Sequence, residues 1–157
     1  MNMKKNSILV VAVPIVWCFL IFAFTAAPSS SGSNTLTIFQ QLFGLDDEQA
    51  KVVNFLIRKA THVMVFGFLA VLCTFVFRKK RFFLAWLLTT VYAATDEFHQ
   101  SFVPGRTASV ADVLLDSVGA ALALFVWRRV VRKRSHFNQS NEDDSASRRR
   151  RSYLNKY

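Results

Sequence analysis

Asp96, Glu97, His99, Gln100, Arg106, Asp112 and Asp116 crowd one short stretch of a 157-residue chain that is 52% apolar and carries 16 Phe. Arg58 and His62, one helical turn apart, adjoin another apolar run. Carboxylates, imidazoles and guanidinium groups at membrane depth mark either a site or a structural lock. As a lock, Arg58 and Arg106 would pair with the four acids. As a site, the same groups would form a pocket for a polar head group, a proton or a metal. The four acids outnumber the two arginines, so some need protons or another cation, and that surplus favours the pocket.

Narrower chemistries find less support. His62, His99, Asp96 and Asp112 are suitable metal ligands, yet no HExxH or CxxC spacing is present, so neither a metal site nor a cofactor is assigned. Ser101, Ser109 and Ser117 lie near His99 in sequence without a nucleophile-elbow motif, so no catalytic residue is assigned. Cys18 and Cys73 sit inside apolar runs at different expected depths, which argues against a disulfide.

The elements that would position these groups are membrane helices. The apolar runs predict an all-α, polytopic fold, a bundle of four transmembrane helices over residues 1–127, with spans at about 8–27, 60–77, 82–102 and 109–127. Residues 8–27 compete with a signal-peptide reading but exceed a usual h-region. Pro28 to Asn34 reads as a loop, and Leu36, Phe39, Leu42 and Phe43 suggest a short extracytoplasmic interfacial helix. Asp46 or Asp47 is the expected cap of the next helix, and Ser109 that of the last. Phe82 to Thr95 provides about 14 apolar residues, too few to cross alone, so this helix must carry Asp96 and His99 with it toward the far face. Pro104-Gly105 then turns the chain.

Of 20 Lys and Arg, 16 lie in the N-terminus, the Arg78-Lys79-Lys80-Arg81 hairpin or the tail. That bias predicts a multi-pass membrane protein with both termini cytoplasmic. Residues 128–157 form a basic tail that reads as disordered, suited to anionic lipid or to setting orientation. The basic blocks lack the aromatic interleaving of a base-stacking surface, so a nucleic-acid partner is not expected and the bilayer is. Oligomeric state leaves no trace in the pattern.

Counting about 1.5 Å per residue from the basic anchors puts Asp116, Asp112, Asp96, His99 and His62 at roughly 18–27 Å, one outer-leaflet layer reached by three helices. Helical spacing groups Asp96 with His99 and Gln100, Asp112 with Asp116, and Arg58 with His62 and Phe66. Gly119, Ala120 and Ala123 extend the Asp112 face as small residues for close helix approach. Tyr92, one turn below Asp96, is positioned to donate to it.

The segment from Asp96 to Ala120, with DE-x-HQ, PGR and then D-x-x-x-D before a Gly-Ala pair, resembles the VanZ-like family, as does Arg58-Lys59-Ala60-Thr61-His62. Met64 and Phe66 depart from that family's acid and Tyr after the His. The resemblance covers about residues 8–127. It implies a small bacterial integral membrane protein, in a family named for an accessory protein that raises tolerance to teicoplanin-type glycopeptides. The expected function is therefore an envelope protein whose outward pocket engages a cell-wall precursor or glycopeptide. The alternative is a membrane enzyme acting on a lipid-linked or phosphorylated head group, with His62 or His99 as acid/base and Arg58 or Arg106 holding an anion.

Overall fold

The computed structural model describes residues 3–26, 40–103 and 108–154, and these are helical apart from turns and caps. The helices are α1 (Met3–Ala26), α2 (Asp47–Cys73), α3 (Arg81–Gln100) and α4 (Val110–Leu154). Among the described residues three stretches are long and apolar enough to cross a membrane: Ile8–Ala26, Asp47–Cys73 and Val110–Ser145. Helix α3, whose 20 residues include Arg81, Asp96 and Glu97, is not one of them. Leu36, Phe39, the Pro28 to Asn34 loop and the Pro104-Gly105-Arg106 turn lie outside the described residues.

Local chemistry explains the helix ends. Asp46 caps α2, its Oδ1 accepting from the Gln49 N–H at 2.8 Å, and the Gln49 side chain reaches back in a capping box. Residues 40–43 form a helical turn that ends at Gly44, whose φ of 62° is the left-handed conformation glycine adopts without strain. At α4, Ser109 occupies the position before the helix, and its carbonyl accepts from Asp112 and Val113 at 3.0 and 3.3 Å.

The chain divides into two compact units, Met1–Leu124 and Phe125–Tyr157. In the first, α1, α2 and α3 pack against one another. Its interior is built largely of small residues, with Ala50, Gly67, Ala70, Ala85, Ala93 and Ala120 buried beside Phe66 and Leu69. Ile15, Phe19, Phe68, Val91 and Leu122 point outward. Small residues inside and large apolar ones outside suit helices that meet lipid rather than water. Trp17 Nε1 donates to the Val65 carbonyl at 3.1 Å, and Trp86 Nε1 to the Ser117 carbonyl at 3.2 Å.

The second unit differs from the disorder expected of residues 128–157, since α4 continues to Leu154. Beyond Gly119 the chain contains no Gly or Pro, so nothing in it breaks a helix once one has formed.

Candidate functional site

Helices α2 and α4 meet closely where Gly67, Gly119 and Ala123 leave room. A Cβ on Gly119 would lie 2.8 Å from Val63 Cγ1, and one on Gly67 would lie 3.1 Å from the Ala123 Cβ. This close approach lets His62, beside Val63, reach Asp116, one turn before Gly119. His62 Nδ1 is 3.2 Å from Asp116 Oδ2. The Asp116 side chain is 1% exposed, and its Oδ1 has no hydrogen-bond partner among the described residues. One turn earlier on α4, Asp112 forms a half-buried ion pair with Lys59.

Helix α3 supplies the other acids. Asp96, 2% exposed, accepts from Thr25 Oγ1 of α1 at 2.8 Å and from Gln100 Nε2 at 2.6 Å. Glu97, 4% exposed, accepts from the Ser109 N–H at 3.0 Å, which ties the end of α3 to the start of α4. His99 stacks on Phe22, ring centroids 4.0 Å apart and planes at 14°, and its Nε2 is buried without a hydrogen-bond partner among the described residues. Asp96, Asp112 and His62 lie near enough to both Asp116 and Glu97 to act on them electrostatically.

Among the residues singled out from sequence, hydrogen bonds join His62 with Asp116 and Asp96 with Gln100, whereas His99 meets Phe22, and three other residues depart from the expectation. Arg106 lies outside the described residues. Arg58 is half-buried but makes no ion pair or hydrogen bond among the described residues, and its neighbour Lys59 pairs with Asp112 in its place. Tyr92 donates to the Cys18 carbonyl at 2.6 Å, not to Asp96, and Thr25 takes the expected role of Tyr92. Lys59 and Thr25 are the contributors that sequence reasoning missed. Lys59 is three residues before His62 and Arg58 four, and both spacings share a helix face, so either could have been the partner.

The chemistry open to this group is the binding of cations, protons or hydrogen-bond donors by carboxylates. Among the described residues no group of three or more His, Cys, Asp or Glu side chains is arranged to hold a metal ion. Two of the three serines have engaged hydroxyls. Ser117 Oγ is 2.9 Å from Thr90 Oγ1, and Ser101 Oγ donates to the Phe98 carbonyl at 2.6 Å. Both cysteines are free thiols. No curated protein and no solved structure matches the chain. A family model described as VanZ/LLP1 matches residues 9–132.

Proposed function

The chain belongs to the VanZ/LLP1 family, and from that premise we propose a multi-pass protein of the bacterial plasma membrane whose polar cluster engages a cell-wall precursor or a teicoplanin-type glycopeptide. In this reading α3 is a fourth crossing, both termini are cytoplasmic, and the cluster opens toward the outer leaflet. The three apolar helices and the skewed distribution of Lys and Arg support that topology. The observation that carries the ligand-binding reading is Asp116. A buried carboxylate with one oxygen uncommitted among the described residues, and with Asp112 and Asp96 acting on it, is a poor lock, because a lock satisfies its members.

Teicoplanin and lipoglycopeptide inhibitory concentrations, compared between strains with and without the gene, test this reading. The gene should raise them, and Asp116→Asn or Asp96→Asn should remove the increase while protein abundance holds. Identical inhibitory concentrations in the two strains would overturn the antibiotic reading. Loss of abundance in both variants would identify the cluster as a lock.

A further inference from the structure

The acids of the first unit lie at the start of α2, the end of α3 and the first turns of α4, and none occurs in α1 or between Glu48 and Asp96. The other end of α2 is basic. There the chain passes through Arg78, Lys79 and Lys80, all three exposed, and no ion pair among the described residues includes them. Uncompensated cations bordering a bilayer attract anionic head groups. Phe75, three residues before Arg78, belongs to a groove of about 240 Å³ that Leu9, Val10, Val13 and Pro14 of α1 line together with Leu72 and Phe75. Its lining is almost wholly apolar. Pro14 is buried at the floor, while Leu9, Val13 and Phe75 remain exposed at the rim. Pockets that enclose a whole small molecule run to about 300–1,000 Å³, so this one suits a length of hydrocarbon chain. Trp17 meets Val65 and Thr25 meets Asp96, so α1 leads away from the groove toward the acids, and Pro14 to Thr25 spans about 16 Å of helix. Groove and acids are separate places.

We propose that this groove and the Arg78-Lys79-Lys80 turn form one binding site for an anionic phospholipid, with an acyl chain lying between α1 and α2 and the phosphate meeting the cations. Both halves call for the same molecule. An acyl chain is the apolar occupant that a bilayer supplies, and a lipid of net negative charge joins that chain to the counter-charge the basic turn lacks. Arg and Lys hold phosphate oxygens through charge-assisted hydrogen bonds, and a zwitterionic lipid offers the same chain with its charge cancelled. The site depends on membrane insertion and not on what Asp116 binds.

Native mass spectrometry of the full-length chain in maltoside micelles, supplied with equal phosphatidylglycerol and phosphatidylcholine, tests this. Phosphatidylglycerol should be retained over phosphatidylcholine on the order of 10- to 100-fold, the weight of two or three cations at a membrane surface. Replacing Arg78, Lys79 and Lys80 together by Gln should reduce that preference to about threefold or less while a lipid is still retained. Removing as many charges from the tail, in Arg132→Gln, Lys133→Gln and Arg134→Gln together, should leave the preference within about threefold of wild type. Val13→Phe fills the groove from its exposed rim, outside the packed interior, and should lower retention of both lipids about tenfold. Leu9→Phe, at the same rim, should repeat that loss. Equal retention of the two lipids by wild type, an unchanged preference in the Arg78-Lys79-Lys80 variant, an equal loss in the tail variant, or full retention in both rim variants would overturn the proposal. A lipid-free dimer that dissociates in Val13→Phe would give the groove to a second copy of the chain and overturn it as well.

Discussion

Gly119→Ala adds a single methyl group where the backbones of α2 and α4 come close. Its Cβ would sit 2.8 Å from Val63 Cγ1 and 3.3 Å from both Val63 Cα and Cβ. A rotation of the Val63 side chain can move Cγ1 away, but Cα and Cβ move only with the helix. The helices must therefore part by a few tenths of an ångström, and overpacking of this kind costs about 1–3 kcal/mol. The higher helix propensity of Ala returns about 0.8–1.0 kcal/mol. The net expectation is a destabilisation of roughly 0–2 kcal/mol, or several degrees in Tm at about 2–4 °C per kcal/mol. Thermal unfolding in micelles measures it, and Val63→Ala in the same chain should recover part of the loss by removing Cγ1. Because His62 and Asp116 flank this contact, the same shift should lengthen their hydrogen bond and weaken any activity that depends on Asp116. If Gly119→Ala is more stable than wild type, or Val63→Ala and Gly119→Ala add independently, the contact does not hold the two helices together.

The Lys59–Asp112 pair should show a coupling energy of about 0.5–3 kcal/mol in a double-mutant cycle with Lys59→Met and Asp112→Leu, and the double variant should be less damaged than the two singles summed. Tyr92→Phe should cost about 0.5–1.5 kcal/mol by removing the bond to the Cys18 carbonyl, with no effect on Asp96-dependent activity. Asp46→Ala should destabilise α2 by about 0.5–2 kcal/mol and speed amide exchange in its first turn, leaving ligand binding unchanged.

Much of this arrangement could be read from residue types because the physics involved is local. Asp46 followed by Gln49 announces a capping box, the uncharged run at 8–27 is already long enough to span, and acids at four-residue spacing must share a helix face. What escaped depends on how helices are rotated against one another. Arg58 and Lys59 differ by about 100° around α2, and only the position of α4 decides which of them meets Asp112. Tyr92 reaches a backbone carbonyl of α1, an acceptor that every residue offers and no pattern marks. The basic tail looked disordered from its charge, but charge alone does not unwind a helix that meets neither Gly nor Pro.

An interior lined with alanine and glycine gains little from leaving water, and against hydrocarbon it gains nothing on that account. Cohesion in the first unit must then come from how closely its backbones fit and from the few polar links that cross between them. Such an assembly should be more sensitive to the thickness of the surrounding bilayer than to denaturant, since stretching or thinning that bilayer slides neighbouring helices past one another. The carboxylates and imidazoles ride on those same sliding surfaces, so the membrane itself becomes a variable in whatever they bind.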